Sequence, residues 1–299
     1  MQRHPKRLRK RFLSPTKVLP LVQASDLLGV EGVFTDIDDT LTKDGKLSAA
    51  TFSALWRLSE AGIPVVPVTG RSYGWAHMML SQWPVEAVIA ESGGVYLHRE
   101  ASPFSLSVAT NPKPTVPAPL KVVFFDSPVR VAEERKRLMA VCERILLNYP
   151  LLRFASDNNL RQVDVAIDYC EDIPKVPMAI VQEVIQALRS EGFQARNSTV
   201  HINAWHGLFD KGPMALRYLK EVRILASKRA QERWVFIGDA PNDRSMFALF
   251  PKSVAVANIQ PYLGELGEDG PKWLTRATHG EGFVEFAQLL LQSRHSAKT

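Results

Sequence analysis

Five short apolar runs, 32–37, 63–69, 87–90, 234–237 and 253–256, alternate along this chain with segments whose apolar residues recur at helical spacing. The clearest helical pattern covers 47–61, with Phe52, Leu55, Trp56 and Leu58 on one side and Gly62 as its stop. Further helices are predicted over 72–82, about 212–222 and 282–292. Strands this short and apolar are buried on both faces, and strand–helix alternation joins them in parallel. The pattern predicts an α/β fold, a Rossmann-like parallel sheet core with helices on both faces. The prolines in Ile63-Pro-Val-Val-Pro-Val-Thr69 argue against a fully paired central strand there.

The rhythm breaks after residue 95. Pro103, Pro112, Pro114, Pro117 and Pro119 mark 101–120 as a loop or linker, and a charged amphipathic helix is expected over 131–147. Val163, Val165 and Ile167 then alternate with Gln162, Asp164 and Asp168, the period of an antiparallel sheet with one wet face. A helix at about 177–190 and strands at 193–196 and 199–203 follow. Residues 96–205 are therefore expected to form an inserted α+β unit. It would divide a core of 31–95 and 206–299, preceded by a flexible arm over 1–30.

The net charge of +6 belongs to that arm. Arg3, Lys6, Arg7, Arg9, Lys10 and Arg11 account for six of the 37 basic residues, leaving 31 against 31 acidic ones. No aromatic platform or recognition helix accompanies the basic run. A solvated tail is expected rather than a nucleic-acid arm, so nucleic acid is not expected as a partner. No apolar run approaches the roughly 20 residues that span a bilayer, and no hydrophobic segment follows the basic start. Cys142 and Cys170 form neither a disulfide framework nor a metal knuckle, and read as small buried hydrophobes suited to a reducing, cytoplasmic compartment. His77, His98, His201, His206 and His279 show no metal-ligand spacing.

Four polar clusters stand at strand ends or a helix start: Asp36/Asp38, Thr69, Lys211 and Asp239/Asp243. The carboxyl ends of parallel strands share one edge of a sheet, where ligands bind, so these clusters can converge. Asp36-Ile-Asp38-Asp39-Thr40-Leu41 concentrates three acids in four positions, which repel one another unless a divalent cation or a solvated turn relieves them.

In this order, Asp36-Ile-Asp-Asp-Thr-Leu41, Val68-Thr69-Gly70-Arg71, Asp210-Lys211-Gly212 and Gly238-Asp-Ala-Pro-Asn242-Asp243 resemble the four motifs of the haloacid-dehalogenase-like phosphohydrolases. The resemblance covers about 31–95 and 206–299. The insertion between Thr69 and Lys211 is similar to the Cof-type, class IIB caps of that superfamily. Gly-Asp-Ala-Pro-Asn-Asp is most similar to mannosyl-3-phosphoglycerate phosphatases, with sucrose- and trehalose-phosphate phosphatases as further relatives. Glu91-Ser92-Gly93 departs from the Glu-Asn-Gly of many relatives. The resemblance implies a Mg²⁺-dependent phosphatase acting on a sugar phosphate or related small metabolite. The alternatives are a phosphomutase of the same superfamily and a non-catalytic phosphosugar- or nucleic-acid-binding protein.

The residue types suit that chemistry. A dianionic phosphoryl group repels nucleophiles, so its charge must be neutralised and the attacker held in line. Asp36 is the expected nucleophile, forming an acyl phosphate. Asp38 is expected to protonate the leaving alkoxide and then to deprotonate the hydrolytic water. Thr69, Gly70 and Lys211 would bind the phosphoryl oxygens. Asp36, Asp38, Asp239 and Asp243 would hold Mg²⁺, with Asn242, Thr40 and Arg71 in support. Asp39 is expected only to cap the turn. In the insertion, Asp164, Asp168, His201 and Asn203 are expected to face solvent more than a sugar.

Overall fold

The structure, a computed structural model, describes residues 19–99, 118–198, 200–224 and 228–296. The arm residues 1–11 and the prolines 103–117 lie outside them.

The centre is a five-stranded parallel sheet. Its strands, in chain order, are β1 (Gly32–Thr35), β2 (Val65–Pro67), β10 (Trp234–Gly238), β11 (Lys252–Ala255) and β12 (Trp273–Leu274), numbered to leave room for seven described below. Their spatial order is β12-β11-β10-β1-β2, with Phe34 opposite Phe236 on one side and Val66 on the other. Successive residues serve opposite faces. Val33, Val65, Val235 and Ile237 pack under helices α1 (Ala49–Glu60) and α6 (His279–Ser296), where Leu55, Leu58, Phe283 and Phe286 are buried. Phe34, Val66 and Phe236 point the other way, onto Met214, Tyr218 and Leu219 of helix α5 (Lys211–Glu221). Both faces are thus covered, which is why the strands read as unbroken apolar runs. Within α1, Trp56 is 37% exposed rather than packed inward as the pattern suggested.

The prolines near β2 are accommodated by register. Val33 N donates to Pro64 O and Val68 N to Thr35 O, so residues 64, 66 and 68 bond toward β1. Pro67 faces the opposite side, where Val65 O and Thr69 N bond to Glu86 N and Ile89 O and only one ladder donor is lost. On that side lie β3 (Ala87–Ala90), β4 (Val95–Arg99) and β5 (Leu120–Phe124), a three-stranded antiparallel sheet joined to β2 by a Val68–Ile89 bridge. Tyr96 and Leu97 of β4 are buried in the two clusters that flank the main sheet.

A second antiparallel sheet has the order β8-β9-β7-β6, from β6 (Arg153–Phe154), β7 (Val165–Asp168), β8 (Gln194–Asn197) and β9 (His201–Trp205). Thr199, expected to open the last of these strands, lies outside the described residues. Helices α3 (Pro128–Leu146) and α4 (Met178–Ser190) cover one face, burying Val165, Ile167, Ile202 and Ala204 against Leu138, Cys142, Val181 and Leu188. The expected wet face is not wet. Asp164 and Asp168 are fully buried and His201 and Asn203 nearly so. Alternation reports that a sheet has two unlike faces, and here the polar face is turned onto the main-sheet residues instead of water. Helix α2 (Tyr73–Gln82) completes the contact: a Cβ on Gly74 would stand 2.8 Å from Leu160 Cβ.

Candidate active site

The carboxyl ends of β1, β2 and β10 and the start of α5 converge beneath this polar face. Asp36 continues the β1 ladder, its N–H donating to Ile237 O at 2.9 Å, and its side chain is 6% exposed. The chain then turns sharply, with the N–H groups of Leu41 and Thr42 donating to Ile37 O. Asp39 occupies the left-handed region at φ 59°, and its carbonyl accepts from Asn258 Nδ2.

Lys211 opens α5, whose N-cap Asp210 accepts the Lys211 N–H at 2.7 Å. Its ammonium donates to Asp36 Oδ1 at 2.6 Å and to Asp243 Oδ1 at 2.7 Å. Burial opposes the charge on Lys211, but the Asp243 and Asp36 carboxylates outweigh it and raise its pKa. Burial, then the Asp243 and Asp38 charges, push the Asp36 carboxyl up to about 8, with Lys211 pulling the other way. Asp239 ends β10 and is raised well above the usual carboxylate range by burial and by Asp36 and Asp243. Thr40 donates to its Oδ1 at 3.0 Å and Asn258 to its Oδ2 at 3.2 Å. Asp243 Oδ2 in turn accepts the backbone N–H groups of Asp239 and Ala240. That carboxylate needs Gly238, because a Cβ there would lie 2.4 Å from Asp243 Oδ2.

Asp36, Asp239 and Asp243 each offer an oxygen within 4.8 Å of the others, all buried. Three carboxylates against one ammonium leave an excess of negative charge, and the donor set is all hard oxygen. That fits a hard divalent cation. Asn242, beside them, has a buried Oδ1 with no hydrogen-bond partner.

Asp38 stands apart from this group. Arg71 binds its carboxylate through Nε and Nη2 at 2.6–3.2 Å, stacks over Trp75 at 5.1 Å and lies 4.0 Å from Glu171. Thr69 is fully buried and its Oγ1 accepts the Arg71 N–H. Gly70 offers its carbonyl to Arg161 Nη1 at 3.0 Å. Arg161 is 2% exposed and also pairs with Asp157 and Asp164, the latter receiving Asn203 Nδ2 at 2.9 Å. His201 Nε2 lies 2.7 Å from Glu171. Beneath these residues, above Asp36, lies a narrow space of about 30 Å³. A cleft of about 930 Å³ opens beside it, and Ser198, Ala240 and Asn242 line both.

All the residues expected from the motifs therefore gather at one edge, with Asp38 in the arms of Arg71 instead of among the other carboxylates. Sequence reasoning did not single out Arg161, Glu171 or Asn258. Nothing local marks them, since each acquires its role only by reaching across the fold.

A family profile described as haloacid dehalogenase-like hydrolase matches residues 33–110, the segment that carries Asp36, Asp38, Thr69 and Arg71. The motif-bearing first part of the chain is thus similar to the haloacid dehalogenase-like hydrolases. The chain is 26% identical over 257 residues to a phosphoglycolate phosphatase of Methanothermobacter thermautotrophicus, covering 86% of this chain and 96% of that one. In fold it is similar to Thermoplasma acidophilum 0175, with a TM-score of 0.64 and 18% identity over 88% of this chain and 98% of the other. It is also similar to the sucrose-phosphatase of Synechocystis sp. PCC6803 solved with sucrose and phosphate. There the TM-score is 0.58 and the identity 16%, over 88% and 98% of the two chains.

Proposed function

We propose that this protein is a haloacid dehalogenase-like phosphatase cleaving a phosphate monoester of a sugar or related polyhydroxylated metabolite. The observation that carries the reading is the Asp36 carboxylate, buried at a parallel-strand end, 2.6 Å from the Lys211 ammonium and grouped with Asp239 and Asp243. Asp36 attacks phosphorus, and the P–O bond to the alcohol breaks as the aspartyl phosphate forms. Asp38 gives a proton to the leaving oxygen and takes one from the water that hydrolyses the acyl phosphate. Lys211 and the Thr69 loop hold the non-transferring oxygens. Asp36, Asp239 and Asp243, with Asn242 alongside, are the residues that would hold Mg²⁺, which supplies positive charge to the phosphoryl group.

Two features of the narrow space support the substrate class. Its cations are spoken for: Arg71 faces Asp38 and Glu171, and Arg161 faces Asp157 and Asp164. A leaving group with a carboxylate would meet no spare positive charge, whereas hydroxyls find acceptors in Asp157 and Glu171 and an amide in Asn203. The space is also too small for a substrate. The inserted unit, expected over 96–205, therefore acts as a roof that opens for entry, and the 930 Å³ cleft is the approach.

The test is phosphate release with Mg²⁺ from glucose 6-phosphate, mannose 6-phosphate, trehalose 6-phosphate, sucrose 6-phosphate and 2-phosphoglycolate, beside an Asp36→Asn variant. Turnover of a sugar phosphate at least tenfold above phosphoglycolate, abolished by D36N, is expected. No turnover of any compound, or full activity in D36N, overturns the mechanism. Preference for phosphoglycolate overturns the substrate class alone.

A further inference from the structure

The Glu91-Ser92-Gly93 turn has no part in the chemistry above, yet it touches the loop 69–71, the start of α5 and the segment that leads into β7. Glu91 is fully buried. Its carboxylate accepts five N–H···O contacts from four backbone amides: Tyr73 at the start of α2, Gln162 to both oxygens, Val163 at 2.6 Å and Asp164 at 2.9 Å. One donor belongs to the main-sheet side of the molecule and three to the segment that leads into β7, 71–73 residues away. The turn's own backbone faces the catalytic loops. Glu91 N donates to Arg71 O and Ser92 N to Thr69 O, both at 3.0 Å. Gly93, at φ 98°, leaves room for the chain before α5: a Cβ there would lie 2.4 Å from Asp210 O and 2.8 Å from Lys211 N.

Such a turn carries a cost. Glu91 and Ser92 both occupy positive φ, 48° and 57°, a region that non-glycine residues avoid and in which asparagine is several-fold enriched over other types. Strain of this kind persists only where surrounding contacts over-determine it. Here those contacts are the amides that a carboxylate at this spot collects. An acid buried among apolar side chains alone would be expelled or neutralised. Burial, then the Asp164 charge, push the Glu91 carboxyl up to about 7, and the Arg161 charge and the amides of Asp164 and Gln162 pull the other way.

We propose that Glu91 is a positioning residue for the reaction, its carboxylate clamping segment 162–164 of the roof to the loop that holds Thr69, Gly70 and Arg71. Arg161 directly precedes the clamped segment and donates to Gly70 O and Asp164. Asp164 is the last clamped residue and holds Asn203. Fixing three consecutive amides therefore fixes the register of Arg161, Asp164 and Asn203 over Asp36. Because the clamp sits at the edge of the roof, beside α2, it serves as the attachment about which the roof is placed. The clamp is read from geometry, and its kinetic consequence rests on the phosphatase reading.

The experiment compares wild type with Glu91→Gln, Glu91→Asp and a control, Leu138→Ala, in the roof's own apolar core. Glutamine keeps the shape but presents an NH₂ to amide donors, and aspartate keeps the charge but is one methylene short of them. Amide hydrogen exchange at 162–164 is followed together with kcat and KM for p-nitrophenyl phosphate and for the sugar phosphate turned over fastest. In E91Q and E91D, exchange at 162–164 is expected to rise at least tenfold. The kcat/KM ratio of sugar phosphate to p-nitrophenyl phosphate is expected to fall at least tenfold, because only the sugar must be held by the roof. L138A lowers the melting temperature and leaves that ratio unchanged. Unchanged exchange in both Glu91 variants, or a loss shared equally by both substrates, overturns the proposal. If wild type hydrolyses neither compound, the phosphatase reading falls while exchange still decides the clamp. Should E91Q fail to fold, E91D carries both measurements.

Discussion

Replacing Lys211 with methionine removes one buried ammonium and leaves its partners in place. Asp36 and Asp243 lose contacts of 2.6 and 2.7 Å, and both carboxylates remain buried with Asp239 as a further like charge. Deleting one partner of a buried pair costs about 3–5 kcal/mol, because the survivor stays desolvated without compensation. In a chain this long, each kcal/mol moves the midpoint by about 2 °C, so a fall of roughly 6–10 °C is expected in EDTA. Mg²⁺ replaces the missing positive charge at the same carboxylates and, bound more tightly there than beside the wild-type ammonium, stabilises the variant more than wild type. The melting deficit of K211M should therefore shrink as Mg²⁺ is raised, while activity stays down by about 10²–10³, the usual cost of one lost donor to a developing oxyanion. Differential scanning fluorimetry across a Mg²⁺ titration, with phosphate release on the same samples, reads both. A deficit below 2 °C in EDTA, or one that grows with Mg²⁺, would refute the charge balance drawn for this site.

Other outcomes follow from the same structure. Gly93→Ala drives a Cβ to 2.4 Å from Asp210 O at a positive φ, and should cost about 2–3 kcal/mol and shift Lys211, lowering kcat more than KM in steady-state assays. Gly238→Ala places a Cβ 2.4 Å from Asp243 Oδ2 and should weaken Mg²⁺ binding at least tenfold by isothermal titration calorimetry, with a smaller loss of melting temperature than G93A. Arg161→Lys keeps the charge but cannot span Asp157, Asp164 and Gly70 together; KM for the sugar phosphate should rise about tenfold with p-nitrophenyl phosphate little affected. The Cys142 thiol is pushed up to about 12 by burial, so it stays protonated through neutral pH and becomes more nucleophilic only as pH rises toward that value. Alkylation at pH 8 should label Cys142 only after unfolding, as mass spectrometry of the labelled peptides will show.

The main sheet was legible because both of its faces are buried, so its strands announce themselves as apolar runs and their ends as polar interruptions. Asp36, Thr69, Lys211 and Asp239 are legible for the same reason: each marks where an element stops or, for Lys211, starts. The polar face of the second sheet was misread because period-two alternation is indifferent to what covers a face. Asp164 and Asp168 look the same in sequence whether they meet water or Arg161 and the backbone amides of Cys170, Glu171 and Asp172. Arg71 was legible as a motif member, but its hold on Asp38 spans 33 residues and depends on how two loops meet.

The distribution of charge explains why the roof and the reaction belong together. Below the roof, Lys211 offsets only part of the charge on Asp36, Asp239 and Asp243, and a divalent cation would complete the balance. Above them each guanidinium already has its partners, since Arg161 meets Asp157 and Asp164, and Arg71 meets Asp38 and Glu171. A neutral leaving group can enter between these layers without disturbing either, but a charged one must break a pair in the roof to be accommodated. Selectivity then arises from the roof's pairs being satisfied, and each paired residue removed should widen the range of substrates accepted. Glu171→Gln is the sharpest case: it leaves Arg71 with one carboxylate partner instead of two, and should bring phosphoglycolate hydrolysis up relative to sugar phosphate. A ratio that stays at the wild-type value would show that something other than charge pairing selects the substrate.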